Sequence, residues 1–344
     1  MQLHEFMCPY PKFNLPRKDL NSLFSSHSSN LVMGMDFAQK KIILKNYELK
    51  FDDNLKKEDF GNYKPVRNFY FYKQMLSLVT EPIQIISDFE DCRGVISEVL
   101  FKTRLNCFTY NRKRGFGDEI LWRLPSYFEP NKPLKIDGEI FKDELDFSQK
   151  SNKVFARLGL SGSNWNNNYK RDTVLSLKNE LEFLNASERY SRIKAVVFSN
   201  SNLDFTDFKL TGKHAHKILK NKLDIYISDP VCKKEILQYK YILCPNGNDV
   251  STQLYWIIGT NSVAFKEDCE YEILCDYYLK PWIHYVPISK NFIDLREKYD
   301  FIERNPDIAK KIIENANLAY EKISFSKEWR NAELTVLEKL GYIR

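Results

Sequence analysis

The stretch Tyr239-Lys240-Tyr241-Ile242-Leu243-Cys244-Pro245-Asn246-Gly247-Asn248-Asp249-Val250-Ser251-Thr252 decides the reading of the fold. Tyr241 to Leu243 reads as a strand, Gly247 sits in a tight connection, and Val250 to Ile258 reads as a helix opened by capping residues. The sequence on either side repeats this alternation. Upstream, Val154 to Leu158 reads as a strand, and Asp172 to Leu184 has apolar residues at helical spacing. Ile193 to Phe198 is an apolar, β-branched run, and His214 to Leu219 falls in a basic helix. Leu223 to Ile227 reads as a strand and Lys234 to Gln238 as a short helix. Downstream, Ser262 to Phe265 reads as a strand and Tyr285 to Pro287 as the end of another. Strands alternating with helices imply a doubly wound parallel sheet. Such sheets take ligands in the crevice at the carboxyl ends of their strands.

The first half is less regular. Lys41 to Phe51 reads as a short β-hairpin, Asn68 to Leu78 as a helix, and Ile83 to Ile86 and Val99 to Lys102 as strands. A chain of 344 residues accommodates two domains. The Ser-, Gly- and Asn-rich run Ser161 to Asn168 reads as a loop, and the charged stretch Lys142-Asp143-Glu144 precedes it, so the boundary is placed at about residues 145 to 152. This gives a first domain over 1–150, a second over 151–305, and C-terminal helices over 306–344. In the tail, Ile308, Ile312, Ile313, Ala316 and Tyr320 share one helical face, and a second helix covers Glu328 to Leu340. Such helices either pack back across the domain junction or cap their own sheet.

Composition narrows the classes of function. The net charge of +6 suits an anionic partner such as a phosphate-bearing ligand, an anionic glycolipid or a membrane surface. It falls short of the dense Lys/Arg clustering of a nucleic-acid binder. The aromatic fraction of 14% fits either a bulky core or surfaces that stack on sugar rings. The seven cysteines are odd in number and form no CxxC pair, which argues against a zinc site or a disulfide framework. His214 and His216 stand two apart in a helix and so face different ways, which argues against a metal pair. Met1 to Arg17 contains three prolines and no apolar run of signal-peptide length. No stretch is long and apolar enough to span a membrane. The expected location is the cytoplasm.

By spacing alone, Gly247 to Thr252 has two readings. Asn248, Asp249, Ser251 and Thr252 are ordinary helix caps, or the helix start and hydroxyls cradle a diphosphate. The glycine patterns of a Walker loop or a dinucleotide fold are absent. An ordered series extends the segment: Tyr239 to Leu243, Gly247-Asn248-Asp249-Val250-Ser251, Asn261-Ser262-Val263, Leu279-Lys280-Pro281-Trp282-Ile283-His284-Tyr285-Val286-Pro287, and Asp294-Leu295. That series resembles glycosyltransferase family 90. The family includes bacterial lipopolysaccharide and capsule sugar transferases and eukaryotic protein O-glucosyltransferases and O-xylosyltransferases. The Gly-Asn-Asp-Val form resembles the bacterial lipopolysaccharide branch.

The resemblance implies an α/β, GT-B-like architecture, with two Rossmann-like domains facing across a cleft. The second domain would hold a UDP-sugar and the first the acceptor, a lipid-linked glycan met by a peripheral protein at the inner face of the cytoplasmic membrane. The transfer would invert the anomeric centre with no cofactor and no required metal, N–H groups and side-chain donors stabilising the leaving diphosphate. Phe155-Ala156-Arg157-Leu158-Gly159 resembles the family's aromatic-Arg-Gly strand end, so Arg157 or Arg171 would pair with phosphate, with Gly159 and Lys240 nearby. Asp276 stands where bacterial relatives carry Glu and would bind sugar hydroxyls, and His284 would face the cleft. Ile85-Ile86-Ser87-Asp88 ends an apolar strand in an acid and resembles the family's general base, with Asp91 as the competitor and Lys102-Thr103-Arg104 resembling the bacterial Lys-Ser-Arg. One departure stands out: where eukaryotic members place an Arg beside the diphosphate, this chain has Gln253-Leu254. The group that supplies that charge is open. A same-family transferase acting on a protein or capsule acceptor, and a non-catalytic sugar-nucleotide or glycan-binding protein, are the alternatives.

Overall fold

The computed structural model describes residues 1–11, 32–45, 47–61, 64–91, 106–115, 119–124, 143–160, 179–188, 190–212, 215, 223–325 and 327–344. Arg171, Lys102-Thr103-Arg104, the strand expected at Val99 to Lys102, the Ser161 to Asn168 loop, His214 and His216 lie outside these residues. The chain forms two compact units. The first comprises Met1–Ile140, Tyr271–Tyr277 and Ser324–Arg344; the second comprises Phe141–Glu270 and Tyr278–Ile323.

The first unit is built on a mixed sheet. Its strands are β1 (Val32–Asp36), β2 (Lys41–Leu44), β3 (Tyr47–Lys50), β4 (Gln84–Asp88), β5 (Cys107–Thr109) and, further along, Ile120–Leu121, in the order β3-β2-β1-β4-β5-Ile120–Leu121. The expected Lys41 to Phe51 hairpin is present as β2 and β3. A strand that returns through a turn of a few residues can pair only antiparallel. Asp36 Oδ1 fixes such a turn by accepting from Ala38 N and Gln39 N, and Lys40 completes it at φ 53°. Half of this sheet therefore departs from the all-parallel pattern of a Rossmann-like domain. From β4 onward the pairing is parallel. The helix Pro65–Leu78, with Pro at its first turn as helices favour, buries Phe71, Tyr72 and Met75. Phe71, Phe108 and Trp122 meet edge-on or tilted at the centre of the core. The C-terminal helix Lys327–Lys339 also belongs to this unit.

The second unit carries the sheet that positions the site. Its strands are β6 (Ser151–Gly159), β7 (Thr206–Thr211), β8 (Tyr239–Cys244), β9 (Val263–Glu267) and β10 (Val286–Ile288). All pair parallel, in the order β10-β9-β8-β6-β7. Counted from β6, that order is 2-1-3-4-5, a doubly wound sheet. Tyr241, Ile242, Leu243 and Cys244 are all buried, as expected of a strand covered on both faces.

Two sequence readings are corrected here, and one run that carried no element assignment is placed. The run at Ile193 to Phe198 lies in a helix, Ser191–Asn200, which buries Ile193, Val196 and Ser199 three residues apart. The strand alternating with it is β7, in which Thr206, Phe208 and Leu210 are buried and Thr206 Oγ1 lies 2.9 Å from Ser199 Oγ of the helix. The strand expected at Leu223 to Ile227 is a 3-10 turn, Asp224–Tyr226, with one bridge from Ile227 to Leu210. The helix expected from Val250 spans only Leu254–Ile257. The tail helix Pro306–Phe325 buries Ala309, Ile312, Ile313 and Ala316, leaving Ile308 exposed. Gly259 admits the Tyr320 ring, which would stand 2.8 Å from a β-carbon there.

Candidate functional site

In a 2-1-3-4-5 sheet the connections leave first and third strands in opposite directions, opening a crevice at their carboxyl ends. Here those strands are β6, ending at Gly159, and β8, ending at Cys244. Arg192, in the first turn of the Ser191–Asn200 helix, lies at that point. Its Nη1 donates to Gly159 O at 3.1 Å. Its Nη2 would be 3.0 Å from a β-carbon on Gly247. Glycine at 247 is thus what lets the guanidinium approach the loop that follows β8. Desolvation lowers the Arg192 pKa to about 10, opposed by Glu267 and Asp249. The arginine remains a cation at neutral pH.

Glu267 closes β9 beside it and is 2% exposed. Ser191 Oγ lies 2.7 and 2.6 Å from its two oxygens, and Asn246 N donates to Oε2 at 2.7 Å. Burial pushes the carboxyl up to about 7, against these hydrogen bonds and the charges of Lys290 and Arg192. The loop after β8 is fastened to the residues after β9 at two further points. Asn246 Nδ2 donates to Asp268 O at 2.7 Å, and Cys269 Sγ to Asp249 O at 3.1 Å. Asp249 Oδ1 accepts from Val250 N at 2.6 Å. Residues 246 to 249 are held by the neighbouring strand end, Ser251 and Thr252 form turns, and helix geometry begins only at Leu254. Gln253 makes no side-chain cap. A one-turn helix has little dipole to offer, so any anion here would be met by the loop and by Arg192.

The structure gathers only some of the residues expected at the site. Gly159 and the Gly247-Asn248-Asp249 loop share the switch point with Arg192. Arg157 is turned to the adjacent strand, where its guanidinium pairs with Asp207 at 2.9 and 3.1 Å and lies 4.1 Å from the Phe155 ring centroid. Lys240 is at the opposite, amino end of β8, 3.8 Å from Glu303 and over the Phe147 ring. His284 also precedes its strand; its Nδ1 accepts from Lys280 N at 2.8 Å, and its pKa is lowered, chiefly by burial. Ser251 and Thr252 lie in turns whose carbonyls accept from Leu254 N and Tyr255 N. Asp276 belongs to the first unit, where it accepts from Ile273 N at 2.9 Å and lies 3.6 Å from Arg114.

Also in the first unit, Asp88 ends β4, is 1% exposed, and accepts from Glu90 N at 2.9 Å. Asp91 is committed to three donors: Lys64 Nζ at 3.3 Å, Arg67 Nη1 at 3.2 Å and Tyr110 OH at 2.7 Å. Arg67 also donates to Phe89 O, bracing the backbone between the two acids.

Sequence reading missed Ser191, Arg192 and Glu267. Glu267 carries the same signal that singled out Asp88, an acid ending an apolar strand. Arg192 had no signal of its own once the run after it was read by β-branching rather than by helical spacing.

Residues 185–324 match the model of glycosyl transferase family 90, the family that the sequence resembles. The match includes Ser191, Arg192, the 246–249 loop and Glu267; Asp88, Arg157 and Gly159 lie before it. Among curated proteins, the chain is 43% identical over 84 residues to the O-glucosyltransferase LpsA of Dichelobacter nodosus, covering 24% of this chain and 26% of that protein. It is 26% identical over 173 residues to the human protein O-glucosyltransferase 3, covering 49% of this chain and 31% of that protein. The chain thus matches about a quarter to a third of the length of these relatives. The crystal structure of the pneumococcal O-GlcNAc transferase GtfA in complex with UDP and GlcNAc aligns at a TM-score of 0.34 and 14% identity, over 88% of this chain and 63% of that one.

Proposed function

We propose that this chain, which carries the glycosyl transferase family 90 match over residues 185–324, transfers a sugar from a UDP-sugar to lipopolysaccharide core or a related surface glycan. The observation that carries the reading is Arg192. It lies inside the family match, at the switch point of a 2-1-3-4-5 sheet, between Gly159 O and Gly247. It provides the positive charge that Gln253 and Leu254 lack. A guanidinium there pairs with the donor diphosphate, and N–H groups of the Gly247 to Ser251 loop complete the anion site. The name of the Dichelobacter relative makes glucose the first donor sugar to test.

In this reading the two units form a GT-B-like pair, with the donor in the second and the acceptor in the first. Asp88 takes the acceptor hydroxyl proton as that oxygen attacks the anomeric carbon. The bond from that carbon to the diphosphate oxygen breaks, the configuration inverts, and UDP leaves on Arg192 with no metal required. Asp88 is favoured over Asp91 because it ends the apolar strand β4, the position that the family resemblance assigns to the base. Among the described residues no helix is long and apolar enough to cross a membrane. A lipid-linked acceptor would then be met peripherally, at the inner face of the cytoplasmic membrane.

The test is a screen of UDP-sugars with the purified chain, reading donor hydrolysis, thermal shift and transfer to lipopolysaccharide core. Hydrolysis and a raised melting temperature with at least one UDP-sugar are expected. Binding without any turnover would make it a sugar-nucleotide-binding protein, and turnover only with a protein or capsule acceptor would reassign the acceptor. Absence of any UDP-sugar effect would remove the donor reading.

A further inference from the structure

We propose that donor binding at this site is coupled to the uptake of a proton by Glu267, which acts as a positioning residue by sharing Arg192 with the donor's diphosphate. The inference rests on the donor reading above and adds its regulation. Glu267 and a bound diphosphate are both anions drawn to one guanidinium, so each weakens the other's hold on it. The carboxylate is sealed in by three elements. The Ser191 helix brings Ser191 Oγ to both of its oxygens, with Arg192 the next residue; the loop after β8 brings Asn246 N, and Asp249 of the same loop acts on Arg192; and the residues after β10 bring Lys290. Lys266, its neighbour on β9, sends its ammonium over the Tyr285 ring instead. In that setting two cations, Arg192 and Lys290, face two acids, Glu267 and Asp249. A diphosphate adds negative charge and excludes water, and both effects favour the neutral form of a buried carboxyl.

Glu267 is suited to take the proton for two reasons. Burial already raises its proton affinity to about 7, so little further shift is needed near neutral pH. The second reason is Ser191, whose Oγ lies 2.7 and 2.6 Å from the two oxygens. A hydroxyl donates to a carboxylate and, after rotation, accepts from a protonated carboxyl. The cluster therefore keeps its hydrogen bonds in both states. Asn246 N remains bound to Oε2 either way, so the loop stays in place while the Glu267 charge is switched off. The proton comes from solvent; no covalent bond other than the carboxyl O–H forms.

The test is calorimetric titration of the full chain with UDP-glucose between about pH 6 and pH 8.5, in buffers of different ionisation enthalpy. UDP-glucose carries no group that titrates in this range. The expected result is uptake of a substantial fraction of one proton on binding, greatest just above neutral pH. Affinity should fall by up to about tenfold across the range, since each unit by which the ligand raises the Glu267 pKa is a tenfold coupling. Glu267→Gln, permanently neutral but able to accept from Asn246 N, should bind at the alkaline end about as tightly as the wild type binds at the acid end, with a flat profile and no proton uptake. The proposal is overturned if the wild type binds with no proton uptake, or if Glu267→Gln keeps the wild-type slope. The wild-type proton count decides even if that variant does not fold. Binding with a flat profile would sink this coupling and leave the donor reading intact, whereas absence of binding at every pH would sink the donor reading itself.

Discussion

A methyl group on Gly247 would stand 3.0 Å from Arg192 Nη2, closer than side chains normally tolerate. The far end of a flexible side chain can move, so Gly247→Ala should fold but displace the guanidinium. UDP-glucose affinity is then expected to fall several-fold. Arg192→Gln removes a charge-assisted contact, worth about 1.5–3 kcal/mol, and should weaken binding by roughly 10- to 100-fold. Lys240→Gln, at the other end of β8, should leave affinity unchanged. Calorimetry on the three variants checks the ranking; wild-type affinity in Arg192→Gln would remove the arginine from the donor site. The two acids of the first unit separate in the same way. Asp88→Asn should lower transfer by on the order of 10²- to 10⁴-fold, with donor binding little changed. Asp91→Asn should instead lower the melting temperature, because it loosens the partners Lys64, Arg67 and Tyr110. If Asp91→Asn lost transfer while Asp88→Asn kept it, the base would be Asp91.

The parallel sheet of the second unit has two ends with different duties. At the amino end, Lys150 Nζ is buried 2.6 Å from Asp143 Oδ2 and 2.9 Å from Ser262 Oγ, and Asn261 N also donates to Asp143. Desolvation lowers the Lys150 pKa, and Asp143 opposes it. Lys150→Met would leave Asp143 buried without its cation, at a cost of about 3–5 kcal/mol. Chemical denaturation should show that loss, while UDP-glucose affinity is retained at the carboxyl end. A variant that kept its stability would show that the pair contributes little. The strands of this sheet were legible because burial on both faces writes continuous apolar runs, as in Tyr241 to Cys244. The Ser191–Asn200 helix was not, because β-branched residues fit either element and only packing at Ile193, Val196 and Ser199 decides. The helix start at Val250 was placed four residues early because Ser251 and Thr252, good capping residues by type, form turns that lead into the helix at Leu254. The central cluster was the least visible part. Ser191 and Glu267 are 76 residues apart and meet only once the strand order is known.

The whole chain is threaded so that its last helix completes its first unit. Residues 271–277 and 324–344 return to the sheet and helices of Met1–Ile140, while the intervening residues build the parallel sheet. The return is fixed by Glu333, which is fully buried on the helix Lys327–Lys339. It accepts from Arg123 Nε and Nη2 at 2.5 and 2.8 Å and from Gln74 Nε2 at 3.0 Å, and Gln74 Oε1 accepts from Trp122 Nε1 at 3.0 Å. One carboxylate thus ties the C-terminal helix to the helix Pro65–Leu78 and to the residues after Ile120–Leu121. Glu333→Ala would leave the Arg123 guanidinium without that partner and open the Gln74 link. The expected cost to the first unit is on the order of 3–5 kcal/mol. The parallel sheet has its own core, in which Val154, Leu243 and Phe265 are completely buried, and none of its contacts depends on Glu333. Calorimetric unfolding of Glu333→Ala should therefore lower one transition, while a second keeps its wild-type midpoint and still rises with added UDP-glucose. If both midpoints fell together and the UDP-glucose shift vanished, the units would be one cooperative body, and the donor site would depend on the C-terminal helix as much as on its own sheet.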